Sequence, residues 1–356
     1  MISSPTRSQS NATVEVDFLI VGQGIVGTTL ACKLLSNKYS VLIIDKDHPN
    51  SASRLACGII NPVTGRRFVK TWKYDELEIS FRSFYQEVEK ILKTPVLENH
   101  EILLALTNVK EENDLLSQSF RYGYESSLTP VQERDFVQPD IPIVYSLKSY
   151  RLNVQSYLLL FREKWTAGNI QIDEKFEYDH LSASDGLWTY KDILAKHIIF
   201  CEGAAVKENP YFKEMPIIPN KGQGLWIHTP DFESYRTLKH QVMISGYGQR
   251  HWVGASFEWS FDDQNPTEAG YIELGRLLTK TINIPYEVTG RFAGIRPTVQ
   301  DRRPILQEHP QNKNMWMING MGSKGCSLSP YISDYFIHLI HNPNDENQFS
   351  AMRLFK

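Results

Sequence analysis

The sequence has few cysteines, little charge imbalance and no long apolar runs. Four cysteines (Cys32, Cys57, Cys201 and Cys326) lie scattered among 356 residues, with no CxxC pair and no Cys/His spacing suited to zinc. That excludes a disulfide scaffold and a structural zinc centre as organising devices, and His228, His240 and His251 add no metal spacing. Cys32 and Cys201 sit in apolar stretches and read as small core residues. The net charge of −3 gives no electrostatic case for bulk binding of nucleic acid or a membrane surface. Runs such as residues 41–44 and 157–161 are too short to cross a bilayer. Residues 1–13 are polar and lack an apolar h-region, so a flexible leader is expected rather than a secretory signal. There is no Walker loop, Ser/His/Asp triad, paired-carboxylate constellation, repeat or low-complexity tract. A reducing, cytoplasmic setting is expected.

What is present is concentrated in residues 18–45, FLIVGQGIVGTTLACKLLSNKYSVLIID. An apolar strand (18–21) runs into Gly22, Gly24 and Gly27, an amphipathic helix follows, and a second apolar strand (41–44) ends in Asp45. In a dinucleotide-binding βαβ unit the first glycine permits the tight turn. The second lets backbone approach a pyrophosphate, and the third lets helix and strand pack closely. The helix N-terminus, at Ile25 and Val26, offers free amides and a positive dipole end to the phosphates. Asp45 stands where a carboxylate accepts bonds from ribose hydroxyls, which disfavours a 2′-phosphate and points to FAD or NAD ahead of NADP.

Beyond Asp45 the pattern breaks and resumes. Residues 54–72 are dense in Gly, Pro and basic side chains and are expected to form a loop lining the ligand. Helices are predicted over 74–92, 108–124, 149–167, 269–281 and 327–341, with a strand pair in 97–106. A buried strand, 196–201, ends at Glu202 and Gly203, a second ligand-facing edge of the same sheet. From about 217 short alternating strands (241–245, 252–257, 286–295) predict antiparallel sheet, and 316–318 is a last short strand. The expected fold is therefore α/β plus α+β: a discontinuous Rossmann-like FAD-binding domain (14–80, 150–205 and 290–356) with an inserted antiparallel-sheet substrate domain (81–149 and 206–289).

Individual residues leave alternatives open. Arg296 reads as a surface partner of Asp301 or Glu308, or as a planar two-pronged donor for a carboxylate. Lys324 reads as a solvated lysine or as a charge near a phosphate or flavin. Tyr247, Trp252 and Phe257 read as core aromatics or as an aromatic substrate cage. Arg66, Arg67 and Lys70 read as a solvated basic loop or as an attractor for an acidic substrate.

Four segments together resemble the D-amino-acid-oxidase-type FAD oxidoreductases, which include glycine oxidase, sarcosine oxidase and the oxidase domain of the tRNA wobble-uridine modification enzyme. They are VGQGIVG with Asp45; KHIIFCEGA (196–204); KGQ (221–223) with WVGASFE (252–258); and GIRPTVQDRRPIL (294–306) followed by INGMGSKGCSLSP (318–330). The resemblance implies that Gly22, Gly24, Ile25, Val26, Gly27, Asp45 and Lys46 hold the ADP half of FAD. It places Ser53, Arg54 and Gly58 along the pyrophosphate and flavin, and Gly203 beside the cofactor. Gly320, Gly322, Ser323, Lys324 and Gly325 would wrap the flavin pyrimidine end. Arg296 would clamp a substrate carboxylate. Glycine oxidases carry an arginine where this chain has residues 321–324, and GSKG is closer to the tRNA-modifying oxidase domain, which normally follows a methyltransferase domain that residues 1–356 do not contain. Sarcosine-oxidase relatives tether flavin through a cysteine that this chain lacks near Gly294, so non-covalent FAD is expected.

The implied function is oxidation of a carboxylate-bearing amine or amino acid to an imine by hydride transfer to flavin, with electrons passing to oxygen or another acceptor. Amides of residues 321–325, with Lys324, would stabilise the charge arriving on the flavin. Alternatives are an FAD-dependent hydroxy-acid dehydrogenase on the same scaffold and a non-catalytic flavin-binding protein.

Overall fold

A computed structural model describes residues 13–233 and 235–354. The expected leader therefore lies almost wholly outside the described residues. In chain order the elements are β1 (Val14–Val21), α1 (Ile25–Ser36), β2 (Val41–Ile44), β3 (Ile59–Ile60), β4 (Val63–Thr64), β5 (Val69–Lys70), α2 (Tyr74–Leu92), β6 (Leu97–Leu106), α3 (Val109–Tyr122), β7 (Leu128–Pro130), β8 (Ile143–Leu152) and α4 (Val154–Ala167). There follow β9 (Gln171–Ile172), β10 (Leu181–Ser184), β11 (Leu187–Tyr190), β12 (Ile193–Phe200), β13 (Ile218–His228), β14 (Arg236–Lys239), β15 (Met243–Tyr247), β16 (Arg250–Gly254), α5 (Glu268–Thr279), β17 (Glu287–Thr298), β18 (Ile305–Glu308), β19 (Met315–Asn319) and α6 (Gly325–His341). No helix among the described residues is long and apolar enough to cross a membrane.

The first sheet runs β10-β11-β12-β1-β2-β9, and β12 also pairs in parallel with β19 near its end. Its middle is parallel: β1 with β2, β1 with β12, and β2 with β9. These strands are continuous apolar runs because both faces are covered; Leu19, Ile20, Ile43, Ile198 and Ile199 are all fully buried. Helices α1, α4 and α6 pack on one face, where Leu30, Phe161, Ile332 and Phe336 share a core with Phe18 and Ile20. Ligands of parallel sheets bind beyond the carboxyl ends of the strands. Here those ends deliver Gly22, Asp45, Gly203 and Gly320 to one edge of the sheet.

The second sheet runs β17-β13-β16-β15-β14-β6-β8-β3. It is antiparallel as expected, except that β6 and β14 pair in parallel from Glu101 opposite Arg236 to Leu104 opposite Lys239. That pair joins segments more than a hundred residues apart, so no hairpin constrains its direction. α5 covers one face through Leu274 and Leu278.

Several expectations change. Residues 97–106 form one ten-residue strand, not a pair, because every residue from Leu97 to Leu106 finds a partner on β8. Residues 149–152 complete that strand, and the helix starts at Val154, where the Asn153 side chain caps it by accepting the Ser156 amide at 3.1 Å. The loop at 54–72 contains β3 and the β4–β5 hairpin. β3 pairs with β8, and β17 pairs with β13 as far as Thr298, so both strands belong to the second sheet.

Candidate active site at the meeting of two sheets

The first glycine turn leaves no room for side chains. Gly22 has φ +101°, and a Cβ there would lie 2.6 Å from the Cys201 carbonyl oxygen; a Cβ on Gly27 would lie 1.9 Å from the Gly22 oxygen. Strand end, turn and helix start are thus packed backbone to backbone. At Gly24 a Cβ would approach the Ser53 hydroxyl to 3.2 Å, so Ser53 sits directly over the turn. Its Oγ accepts the Ile25 amide at 3.1 Å, which commits that amide. The first hydrogen bond of the helix is Thr28 N–H to Gly24. The amides of Val26 and Gly27 therefore have no acceptor within the helix, the arrangement that suits an anion.

Asp45 is fixed from several sides. Its Oδ2 accepts the Gln23 amide at 2.9 Å and its Oδ1 accepts the Asp47 amide at 2.8 Å. Arg162, on α4, donates to Oδ1 at 2.8 Å. Lys46 is exposed, and Arg54 pairs with Asp47 at 2.8 Å. Gly58, with φ +80°, serves a backbone crossing, since a Cβ there would lie 1.9 Å from the Leu152 oxygen.

The closing glycine loop reaches the same place. Gly320 and Gly322 have φ of +82° and +55°, conformations that suit glycine. The Asn319 side chain donates to the Gly203 carbonyl at 2.8 Å and accepts the Gly320 amide at 2.8 Å, tying the ends of β12 and β19 together. A Cβ on Gly325 would lie 2.7 Å from the Ile25 side chain, so the N-terminal turns of α1 and α6 are in contact. Two helix dipoles therefore direct their positive ends into one region. In α6 the first helical bond is Ser327 N–H to Lys324, which leaves the Gly325 and Cys326 amides without an intrahelical acceptor. Ser323 is exposed; Lys324 is half-buried, and burial, with Arg302 nearby, lowers its ammonium pKa.

Arg296 joins the second sheet to this region. On β17 it lies opposite Asn220 of β13, with its guanidinium over Gly222, where a Cβ would fall 2.1 Å from Nη2. Nη1 donates to Asn220 Oδ1 at 2.8 Å and to the Ser256 carbonyl at 3.2 Å, and the Phe257 ring lies 4.9 Å away. Among the described residues Nε and Nη2 have no hydrogen-bond partner, which leaves one edge of the guanidinium for a carboxylate. Burial lowers its pKa. The ion pair with Asp301 or Glu308 does not form: Asp301 binds Arg353 at 2.8 Å, and Glu308 accepts the Asn314 amide. The next residue, Pro297, accepts the Gly322 amide at 2.8 Å, linking the arginine strand to the closing loop.

Trp252 and Tyr247 act as struts, not as an open cage: the indole donates to the Leu55 carbonyl at 2.9 Å, and Trp252 packs on Phe292. Phe257 is 69% exposed, so of the three aromatics only it stands open beside Arg296. Arg66 and Arg67 are exposed at the β4–β5 tip, and Lys70 pairs with Asp75. All four cysteines are free, and the described residues hold no metal-ligating group of three.

Sequence reasoning missed Arg162 and Asn220. A signal for the first existed: Tyr157, Leu158, Phe161 and Trp165 mark the buried face of α4, and Arg162 falls among them, a charge where an apolar side chain is expected. Asn220 carried no such signal, because its role depends on register with β17.

A family profile described as "FAD dependent oxidoreductase" matches residues 17–339. Glycine oxidase of Bacillus subtilis (strain 168) is 26% identical over 161 residues, 42% of this chain and 42% of that protein. The structure of glycine oxidase from Geobacillus kaustophilus superposes with a TM-score of 0.77 at 18% identity, over 95% of this chain and 97% of the other. L-alpha-glycerophosphate oxidase of Mycoplasma pneumoniae, solved with FAD bound, superposes with a TM-score of 0.72 at 16% identity, over 92% and 95% of the two chains.

Proposed function

This chain belongs to the FAD dependent oxidoreductase family, and on that premise we propose that it oxidises a carboxylate-bearing amine or amino acid to an imine, passing electrons to oxygen or another acceptor. The observation that carries the reading is the open edge of Arg296, held one residue from the backbone bond between Pro297 and Gly322. The glycine turn fits FAD: Gly22 and Gly27 let the strand end and helix start pack backbone to backbone, the Val26 and Gly27 amides have no acceptor within the helix, and Asp45 stands at the end of β2 as a hydroxyl acceptor.

FAD, when bound, supplies the hydride acceptor. The chain's own residues orient and stabilise. Asn220 and the Ser256 carbonyl hold one edge of Arg296, so its free Nε and Nη2 grip a carboxylate in a fixed plane. Phe257 covers the guanidinium and reduces competition from water. The Gly325 and Cys326 amides and the Lys324 ammonium provide preorganised positive charge for the electrons that arrive. Non-covalent retention fits the free cysteines, of which Cys32 and Cys201 are buried, and these thiols suit a reducing compartment such as the cytoplasm.

The test is purification followed by an aerobic amine library with peroxide as readout. The expected protein is yellow, with the oxidised-flavin band near about 450 nm, and is turned over by amines that carry a carboxylate. A colourless protein, or turnover only by hydroxy acids, would overturn the proposal.

A further inference from the structure

Arg162 is the one charged residue on the buried face of α4, and its side chain is 9% exposed. Four of its five N–H groups are spent. Nη1 donates to Gln23 Oε1 at 3.0 Å and to Asp45 Oδ1 at 2.8 Å; Nη2 donates to the Asp45 carbonyl at 3.1 Å and to Asp173 Oδ1 at 2.8 Å. Gln23, the residue between the first two glycines, is itself held: its side-chain Nε2 donates to the Leu158 carbonyl at 2.9 Å and to Thr28 Oγ1 at 3.3 Å. One guanidinium thus ties together the glycine turn, the end of β2 and the segment after β9.

The consequence falls on Asp45. An ionised carboxylate has about four lone-pair sites. Oδ1 is filled by the Asp47 amide and Arg162, and Oδ2 already accepts the Gln23 amide. A single site remains, on Oδ2. We infer that Arg162 is a positioning residue for cofactor recognition: it holds Asp45 so that only one carboxylate lone pair is open, and the site reads a single adenosine-ribose hydroxyl. Arg162 makes no phosphate contact in this scheme, because its Nη hydrogens are all committed to acceptors. The inference rests on the FAD reading above.

The test uses the full chain stripped of flavin and titrated by fluorescence quenching with FAD and with its 2′-deoxyadenosine and 3′-deoxyadenosine analogues. For the unaltered chain, one analogue binds about tenfold or more weaker than FAD, the magnitude of a charge-assisted hydrogen bond, and the other binds within about threefold. Equal, large losses with both analogues would show two hydroxyls accepted and overturn the inference. In Arg162→Gln, FAD affinity falls by about tenfold, whereas the sensitive analogue is little changed, so the discrimination disappears. Uniform weakening of all three ligands would mark a merely structural arginine and overturn it. Arg162→Lys, which keeps the charge but cannot span Gln23, Asp45 and Asp173 at once, also loses the discrimination. Discrimination retained in the lysine variant would show that charge suffices without the fork, again overturning the positioning role. This variant and the unaltered chain decide the matter even where the glutamine variant fails to fold. An unaltered chain that takes up no flavin of any kind would overturn the underlying FAD reading instead, an outcome distinct from altered discrimination.

Discussion

The two sheets contribute to the site by different means. On the parallel sheet the work is done by backbone: the turn at Gly22, the approach at Gly27 and the free amides of two helix starts, with Asp45 as the main polar side chain. On the antiparallel sheet it is done by side chains drawn from separate strands, with Arg296 on β17, Asn220 on β13 and Phe257 beyond β16. Backbone geometry tolerates few substitutions and recognises a common cofactor. Side chains on a sheet face are exchangeable, so under the proposed function the choice of substrate would be carried there.

The sharpest break in that comparison is on the backbone side. Gly27→Val drives a side chain into the Gly22 carbonyl, since a Cβ there already falls at 1.9 Å. The expected product retains no flavin, read from the visible spectrum of the purified protein; a yellow Gly27→Val protein would show that the turn does not contact the cofactor. Next in size is Arg296→Ala. Loss of a paired charged contact predicts a fall of about a hundredfold in kcat/KM for carboxylate substrates, with flavin content unchanged. Unaltered kinetics would remove the clamp from the account.

A histidine in each sheet, buried His100 and half-buried His197, allows a comparison by pH. Burial lowers the pKa of His100, on β6 and hydrogen-bonded to Thr237 of β14, to about 3, and that of His197, stacked on Phe18, to about 4, from an ordinary value of 6.5. The unfolded chain then binds protons that the folded chain refuses, so stability falls as pH drops below about 6.5. The loss continues to about 3 for His100 and about 4 for His197. Replacing either by an apolar residue flattens the acid limb of a denaturation series, and His100→Leu does so over the wider range. An unchanged limb would refute the neutral assignment. The smallest effect is expected from Trp252→Phe, which deletes the indole bond to Leu55 that ties the loop after β2 to the second sheet. About 1 kcal/mol of stability should be lost, seen as a drop of a few degrees or less in Tm. A Tm unchanged within error would remove the strut.

The same division explains what could be read from the sequence. The first glycine turn, α1 and Asp45 are legible because their contacts fall within about 30 residues and each residue type is set by a local steric demand. The closing loop stands out through Gly320 and Gly322 and through its likeness to the family segment, whereas its contacts with Gly203 and Ile25 are far away in the sequence. The parallel pairing of β6 with β14 is not, because alternating strands carry no label for their partners. Residues 149–152 look helical because they precede a true helix; only the Asn153 cap and the ladder to β6 separate strand from helix. Arg296 is visible as a residue type, but its open edge depends on Asn220, 76 residues away. Arg162 is visible as an anomaly on α4, and its three partners are not.

The most direct measurement mixes the purified protein, without oxygen, with matched pairs of amines that differ only in bearing a carboxylate, and follows flavin absorbance. Rapid bleaching by the carboxylate member and none by its partner is the predicted result. Equal bleaching by both members, or no flavin band to bleach, would contradict the claim that a backbone cradle on one sheet and an arginine on the other meet at a single cofactor.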